Sequence, residues 1–145
     1  MDIQGRKMLK EIPARVYEGI SFSKGSKPDS GLLSSYFIEK GLFINNKGES
    51  PVVKSVPDYI SMITTNIDNG NIVSIKEQEL SNTVKVFGSV AQVSSEYELT
   101  FVGENGSQTR YGVNLFQLIK HGGLWLISSM CWDDKDDRSL LQESV

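Results

Sequence analysis

The sequence predicts an α+β domain in which N-terminal helices pack on a strongly curved antiparallel β-sheet. Apolar residues recur at helical spacing in the first third of the chain, whereas apolar and polar residues alternate from Ile72 onward. Alternation of this kind is typical of antiparallel strands with one buried face. The turns between the alternating segments are short, which favours strands that pair in sequence order. Together these observations predict a cone-shaped pocket domain.

Length and composition fit one domain. With 145 residues, of which 39% are hydrophobic, the chain is long enough to bury about 68–70% of its unfolded surface without metals or disulfides. We expect a single domain over residues 1–133. The acidic segment from Asp133 to Arg138 lacks apolar periodicity. Residues 134–145 are therefore expected to form a solvated, mobile tail.

Charge and cysteine content exclude several classes of protein. The formal net charge is −3 and the basic residues are scattered, which does not suit a nucleic-acid partner. Cys131 is the single cysteine and His121 the single histidine, so neither a disulfide within the chain, nor a metal, nor another cofactor is expected. The sequence contains no apolar run of signal or membrane-spanning length. We therefore expect a cytoplasmic protein without membrane contact.

Three helices are predicted before the alternating region. Apolar spacing predicts the first over residues 4–22, where Pro13 either kinks one helix or opens a second. Asp29 or Ser30 then caps a short helix that closes one end of the sheet. Ser55 opens the third helix, because an acid follows three residues later, as in a capping box.

Four long strands are predicted after a short strand pair near residues 42–44 and 52–53. The long strands cover residues 72–80, 83–102, 109–120 and 124–132. Residues that favour turns separate them, and the first of these turns is predicted at Ser81-Asn82. The apolar positions change phase before Gly88, so we expect a β-bulge or sharp bend there that curls the sheet.

Three local patterns in these strands carry a resemblance to a known superfamily. They are the strand from Gly88 to Tyr97, the segment Gly112-Val113-Asn114-Leu115-Phe116-Gln117-Leu118, and Trp125-Leu126-Ile127 with Trp132-Asp133. With the order of elements over residues 7–133, they resemble the nuclear transport factor 2-like superfamily, a cystatin-like α+β cone. The last pattern resembles a bacterial branch of uncharacterised members.

The resemblance implies several activities rather than one. The superfamily includes ketosteroid isomerases, polyketide cyclases and dehydratases as well as non-catalytic members. The isomerase uses an aspartate base and an oxyanion hole of a tyrosine and a protonated aspartic acid. The long strand of this chain offers mainly Ala91, Val93, Ser95 and Tyr97 on one face, and no acid aligns with either role. Members of the superfamily are often homodimers, which implies a homodimer here.

The candidate ligand-binding residues combine an apolar body or strand position with a polar tip, the mixture that lines small-molecule pockets. They are Tyr36, Tyr59, Tyr97, Asn114, Gln117, Trp132 and Asp133. Core packing with a satisfied hydrogen bond is the alternative for each of them. Asn114 stands out because its amide lies among apolar residues and needs a partner. Asp133 is interpreted either as an acid at the pocket mouth or as part of the solvated tail.

Other reactive side chains are interpreted as structural. His121 lies in a glycine-rich turn, and Cys131 has no basic neighbour in sequence that would lower its pKa. Four acids have the i, i+2 spacing that carboxylate pairs on one strand face would need: Glu77, Glu79, Glu96 and Glu98. Acids are mostly exposed, so a solvated sheet face is favoured for them. No residue is assigned a catalytic role.

Three functions remain open at this point. The first is a pocket domain that binds a small apolar or aromatic ligand without catalysis. The second is a proton-transfer enzyme of isomerase, cyclase or dehydratase type, with Tyr36, Tyr59 or Tyr97 as the hydrogen-bond donor and Asp133 as the acid. The third is a module that dimerises through the outer face of its sheet, since two or three helices cannot cover both faces.

Overall fold

The structure is a computed structural model that describes residues 3–143. This part of the chain forms one curved sheet and three α-helices. The helices are α1 (Ile3–Ile20), α2 (Ser30–Ser35) and α3 (Val56–Asp68), and a short 3₁₀ helix covers Arg138–Glu143. The strands are β1 (Phe37–Asn45), β2 (Val52–Ser55), β3 (Ile72–Phe87), β4 (Val90–Gly103), β5 (Gly106–His121) and β6 (Leu124–Lys135).

The six strands lie in the order β2-β1-β6-β5-β4-β3. Strands β3 to β6 are antiparallel neighbours in sequence order, as their short turns predict. Strand β1 closes the sheet by pairing in parallel with β6 and antiparallel with β2. The predicted α+β class, with helices on a curved and mostly antiparallel sheet, is confirmed. We call the sheet face that packs on the helices the inner face, and the opposite one the outer face.

Helix α1 is continuous, and Pro13 lies inside it. Proline has no N–H to donate to the carbonyl of Leu9, so one helical hydrogen bond is missing there. The helix is held instead by the apolar face that it buries against the sheet. The buried residues of that face are Leu9, Ile12, Pro13, Val16, Tyr17, Gly19 and Ile20. The first of the two alternatives for Pro13, one helix rather than two, is therefore the observed one.

Side-chain caps set the starts of α2 and α3. The Leu32 N–H donates to Asp29 Oδ1 at 3.0 Å, and the Asp58 N–H donates to Ser55 Oγ at 3.2 Å. Each cap satisfies an amide that has no partner within its helix. Both predicted caps are confirmed. Helix α2 ends at Ser35, because the chain enters β1 at Phe37 and there pairs with β6.

The structure has a bulge next to Ser81-Asn82, where the sequence predicts a turn, and a turn at Gly88, where the sequence predicts a bulge or bend. Strand β3 runs through Ser81-Asn82 without a turn, and its register on β4 shifts between Glu79 and Ser81, which leaves Leu80 as an extra residue. The expected bend at Gly88 is instead the hairpin turn, where Gly88 has φ +56°. A tight hairpin needs positive φ, which glycine adopts without strain.

The C-terminal strand is longer than predicted. Strand β6 continues to Lys135, so the expected boundary between domain and tail at residues 133/134 lies inside it. Asp134 is 2% exposed, whereas its neighbour Asp133 is exposed. The side chains of a strand alternate between its faces, which gives these consecutive aspartates opposite environments. The predicted solvated tail is therefore wrong for Asp134.

The hydrophobic core lies between the helices and the inner face of the sheet. Trp125, Phe43 and Phe116, which are among its largest members on the sheet, are each 2% exposed or less. Burying a side chain of this kind stabilises the fold by about 1.5–3 kcal/mol. Among the described residues, no helix is long and apolar enough to cross a membrane. Polar residues interrupt this core near its centre.

Candidate functional site

Five polar side chains meet inside the cone, and we call them the inner polar cluster. They are Tyr17 of α1, Glu77 and Glu79 of β3, Ser95 of β4 and Asn114 of β5. Ser95 and Asn114 are opposite each other in the register of β4 and β5, and both are fully buried. The cluster therefore joins one helix to three adjacent strands.

A chain of hydrogen bonds runs through the inner polar cluster. The Tyr17 hydroxyl donates to Ser95 Oγ at 2.8 Å, and Ser95 donates to Glu79 Oε2 at 2.6 Å. Asn114 Nδ2 donates to Tyr17 Oη at 3.0 Å and, over a longer 3.4 Å, to Glu77 Oε2. The hydroxyls of Tyr17 and Ser95 thus each donate once and accept once, which fixes the direction of this series of hydrogen bonds.

Glu77 is the carboxyl of this cluster whose pKa lies near neutrality. Its residue surface is only partly buried, yet burial of the carboxyl raises its pKa from 4.5 to about 8. The hydrogen bond from Asn114 and the charge of Lys47 act in the opposite direction, whereas the charge of Asp134 raises the pKa further. The Glu77 N–H donates to Ser21 Oγ at 2.9 Å, which anchors β3 to the end of α1. A carboxyl with this pKa exchanges its proton close to neutral pH.

The amide of Asn114 is only half satisfied. Its nitrogen has two acceptors, but its oxygen is buried and has no hydrogen-bond partner among the described residues. Leaving a buried acceptor without a partner costs about 1–3 kcal/mol. The unpaired oxygen belongs to the same amide that contacts Glu77, so an unused acceptor lies beside a carboxyl with a near-neutral pKa.

Tyrosines around Glu77 stay protonated at neutral pH. Burial raises the pKa values of Tyr17, Tyr59 and Tyr97, and the charge of Glu77 raises all three further. A tyrosine with a raised pKa donates or accepts a hydrogen bond but does not act as a base near neutral pH. The proton-accepting group of this region is therefore Glu77 rather than a tyrosine.

A second polar cluster surrounds Asp134, and we call it the Asp134 cluster. Tyr97 donates to Asp134 Oδ2 at 2.7 Å, and Arg110 Nε donates to Asp134 Oδ1 at 2.8 Å. Lys47 Nζ lies 3.4 Å from the same Oδ1 atom. Gly112 leaves the space for this arrangement, because a Cβ there would come within 2.6 Å of Tyr97 Oη. The cluster ties β4, β5 and β6 to the turn after β1.

Aromatic side chains form an apolar wall between β1, α3 and β6. The rings of Phe43 and Tyr59 stack with centroids 4.1 Å apart and planes at 9°. The Trp132 ring stands edge-on to both, at 6.2 and 6.5 Å. Trp132 is opposite Asn114 in the register of β5 and β6. This wall therefore lies next to the inner polar cluster.

The structure brings together four of the seven predicted site residues and separates the rest. Tyr59, Tyr97, Asn114 and Trp132 are buried or half-buried around the two polar clusters and the aromatic wall. Tyr36 caps the end of α2, where its carbonyl accepts from the Ile127 N–H at 2.8 Å.

Two predicted site residues lie outside the cone. Gln117 and Asp133 are exposed, and both alternate with inward-facing neighbours on their strands. Side chains alternate along a strand, so a residue next to the buried Asp134 cannot also face inward. Asp133 therefore does not face the interior of the cone. It lines a groove on the outer face between β5, β6 and the C-terminal 3₁₀ helix, and Lys135 Nζ is 3.5 Å from its carboxylate there.

The sequence predicts a solvated face for Glu77 and Glu79, whereas the structure places both in the inner polar cluster. They follow the buried Ile75 at a spacing of two, and this is the signal that could have found them. The turn predicted at Ser81-Asn82 concealed this signal. Asn82, Val84 and Val86 have even numbers and the two glutamates odd ones, so a strand without an inserted residue would place the two sets on opposite faces. The extra residue at Leu80 restores both sets to one face.

Within residues 3–143 there is no group of three or more histidine, cysteine, aspartate or glutamate side chains placed to hold an ion. The inner polar cluster offers carboxyl, hydroxyl and amide groups, which are suited to hydrogen bonding and proton exchange.

Comparison with known proteins places this geometry in a fold family. No family model and no curated protein matches the chain. Solved structures do match it. Hexachlorocyclohexane dehydrochlorinase LinA-type3 from Novosphingobium barchaimii LL02 is 10% identical, with a TM-score of 0.74 over 92% of this chain and 88% of that one. An NTF2-like protein with a cystatin-like fold from Novosphingobium aromaticivorans is 14% identical, with a TM-score of 0.66 over 97% and 88% of the two chains.

A third structure, a protein of unknown function with a cystatin-like fold from Nostoc punctiforme PCC 73102, is 14% identical, with a TM-score of 0.66 over 97% of this chain and 98% of that one. This chain has the nuclear transport factor 2-like fold. The fold that the resemblance implies is thereby confirmed. The NTF2-like fold hosts enzymes and uncharacterised proteins alike, so function has to be argued from the two polar clusters.

We expect Asp134→Asn to destabilise the NTF2-like fold far more than Asp133→Asn. The first change removes a buried charge from Arg110 and Lys47, and breaking such a pair costs about 2–3 kcal/mol when its cations are partly exposed. The second affects a surface ion pair worth at most about 1 kcal/mol. Urea unfolding of both variants measures the difference. Equal losses would show that Asp134 is not a structural anchor.

We expect Glu77→Gln to change how stability depends on pH. The folded pKa of about 8 exceeds the ordinary 4.5, so the native state retains a proton that the unfolded state releases. Wild-type stability should therefore fall as pH rises from 4.5 to 8, whereas the Glu77→Gln variant should lack this component. Its relative gain at pH 9 is on the order of 1–3 kcal/mol, after a discount for partial exposure.

Melting temperatures measured between pH 4.5 and 9 test this expectation. Glu98→Gln is the matched control, because it removes a carboxylate from the outer face of β4, outside the cone. The difference between wild type and the Glu77 variant should grow with pH, while that for the control should stay flat. A constant difference across the range would place the pKa of Glu77 at its ordinary value.

Proposed function

We propose that the cone binds a small, largely apolar molecule and that Glu77 exchanges a proton with it. The observation that carries this proposal is the half-buried Glu77 carboxyl with a pKa of about 8, hydrogen-bonded by the buried Asn114 amide. Side chains whose pKa is moved to near neutrality by burial cluster at functional sites. In this site the acid or base is Glu77 and not Asp133, the residue that the sequence suggests.

The partial exposure of the region around Glu77 and the aromatic side chains nearby support a ligand at this carboxyl. Glu77 and Trp132 are only partly buried, so the region around them is not sealed inside the core. On one side the half-buried Trp132 ring offers aromatic surface, while Phe43 and Tyr59 contact it from within the core. A mostly apolar lining with a few convergent polar groups is the usual composition of a small-molecule site.

The pKa of Glu77 determines which way the proton moves. Above about pH 8 the ionised carboxylate accepts a proton, and below that pH the neutral acid donates one. The apolar surroundings that raise this pKa also make the carboxylate a stronger base than one in water. Asn114 Nδ2 steadies the carboxylate by donating to Oε2.

A general probe of carboxylate bases tests this proposal. In 5-nitrobenzisoxazole a base removes the C3 proton while the ring N–O bond breaks, and the electron pair leaves as the coloured 2-cyano-4-nitrophenolate. We expect wild type to accelerate this elimination, with a rate that rises to a plateau above about pH 8. Absorbance of the phenolate measures the rate.

The variants decide which group is responsible. Glu77→Gln should lower the rate about 100-fold or more, the usual contribution of a positioned base, whereas Glu98→Gln should leave it unchanged. Acceleration that survives Glu77→Gln would assign the base elsewhere. No acceleration by wild type at any pH would overturn proton exchange at Glu77.

We also propose that two copies associate through the outer face of the sheet. Leu115 on this face is 41% exposed, and a groove of about 310 Å³ lies between β5, β6 and the C-terminal 3₁₀ helix. Val113, Leu115 and Cys131 line its floor, with Leu140 at its edge. Exposed apolar surface of this kind favours association, and a two-fold dimer covers the same face on both copies.

Light scattering at micromolar concentration should give the mass of a dimer. Leu115→Lys places a charge in the middle of the proposed interface and should shift the mass to that of a monomer, without changing the melting temperature by more than a few degrees. Lys24→Glu, a charge change in the exposed loop between α1 and α2, away from the outer face, is the control. A monomeric mass for wild type would reject the dimer.

A further inference from the structure

The turns of two neighbouring hairpins lie at the same end of the sheet. Strand β4 pairs with β5, so the β3–β4 turn and the β5–β6 turn are adjacent. The Lys120 N–H donates to the Ser89 carbonyl at 2.9 Å, which joins the two turns directly. We call this end of the molecule the basic tip. It comprises residues 3–10 at the start of α1, residues 84–90 and residues 119–124.

Helix α1 brings its first residues to the basic tip because it runs antiparallel to β3. Just after the end of the helix, Ser21 Oγ accepts from the Glu77 N–H at 2.9 Å. Nearer its start, Lys10 Nζ donates to the Asn82 carbonyl at 2.8 Å, and Asn82 Nδ2 donates to the Lys10 carbonyl at 2.9 Å. The residues before Lys10 therefore lie beside the part of β3 that leads to its turn.

Large apolar side chains are exposed at the basic tip. Phe87 is 85% exposed, and Val90 and Leu124 are each 54% exposed. Phe87 is opposite Val90 in the register of β3 and β4, and Val90 is opposite Ile119 on β5. At the start of α1, Ile3 is 87% exposed. Apolar surface gathered in this way marks a place where another surface binds.

The basic tip also carries cations and no acid. Its cations are all exposed, and they are Arg6, Lys7, Lys10, Lys85 and Lys120. None of them forms an ion pair with a described carboxylate. Glu11 follows Lys10 on α1, and Glu39 lies on β1 beyond the pairing of Phe37 with Ile127, so both acids are set back from the turns. In a chain with a net charge of −3, the positive charge at this end is complementary to an anionic surface.

We propose that the basic tip docks on an anionic lipid membrane. Phe87, Val90 and Leu124 enter the boundary between headgroups and acyl chains, while the cations face the phosphate and carboxylate groups of the lipids. Membrane binding of this kind combines buried apolar area with electrostatic attraction. Each lysine or arginine close to the membrane contributes about fivefold in affinity.

A lipid surface fits both properties of the basic tip. A nucleic acid would use the cations, but its phosphates gain nothing from aliphatic side chains such as Val90 and Leu124. A second copy that met the first tip to tip would bring like charges together. The expectation of no membrane contact considered segments long enough to cross a membrane, and a protein that lies on its surface needs none. This contact is independent of proton exchange at Glu77.

Sedimentation with lipid vesicles tests this proposal. The full chain is mixed with vesicles of phosphatidylcholine, either alone or with about one third phosphatidylserine. Wild type should bind the anionic vesicles about tenfold or more tightly than the neutral ones. Salt at about 1 M should release it, because the Debye length falls from about 10 Å at 0.1 M to about 3 Å. Absence of binding to anionic vesicles at low salt would overturn the proposal.

Matched variants locate the contact. Lys120→Glu should weaken binding to anionic vesicles about tenfold or more, whereas Lys24→Glu, in the loop after α1, should not change it. Phe87→Ser should weaken binding about tenfold, whereas Val53→Ser, an exposed apolar residue on β2, should not. All four side chains are exposed, so the variants should melt at the temperature of wild type.

The outcomes separate the lipid surface from two other partners. Weaker binding by both tip variants, with unchanged binding by both controls, supports docking through the tip. Equal binding by all four variants overturns it. A lower mass of Phe87→Ser in light scattering, with unchanged vesicle binding, would make the tip a contact between two copies. Tighter binding of a single-stranded oligonucleotide than of anionic vesicles, unaffected by Phe87→Ser, would make it a nucleic-acid surface. Either of these last results overturns the lipid proposal.

Discussion

The hydroxyl of Tyr17 joins the helix layer to the sheet at the centre of the cone. It accepts from Asn114 on β5 and donates to Ser95 on β4, which in turn holds Glu79 on β3. A hydroxyl can do both only because the three strands curve around α1 and bring their side chains to one point. Burial of these groups is tolerated because all but the Asn114 oxygen in this hydrogen-bond chain are paired.

Glu77 and Asp134 show two ways of keeping an acid inside an NTF2-like cone. Arg110, Lys47 and the Tyr97 hydroxyl surround Asp134, so the charge has partners on each side. Glu77 has one weak donor, and its pKa rises to about 8 instead. The first arrangement stabilises the fold through paired charges, whereas the second leaves a carboxyl that exchanges its proton close to neutral pH.

Local patterns made the helices, the strands and the fold class predictable. The caps at Asp29 and Ser55 and the alternation after Ile72 depend on residues close together in sequence. The environment of Asp134 was not predictable in this way, since nothing in an acidic run distinguishes the aspartate that pairs with β5. Asn114 was found because an amide among apolar residues needs a partner in any fold.

The extra residue at Leu80 determines whether a site exists at all. Without it, either Glu77 and Glu79 or Asn82, Val84 and Val86 would have to face solvent, because a strand cannot change phase unless a residue is inserted. The bulge lets the distal half of β3 turn two half-buried valines to the inner face, while the proximal half turns two acids toward Tyr17. A β-bulge depends on the pairing of two strands and has no pattern of its own. The inner polar cluster is therefore a property of strand register, and the sequence spacing of its acids acquires meaning only once that register is known.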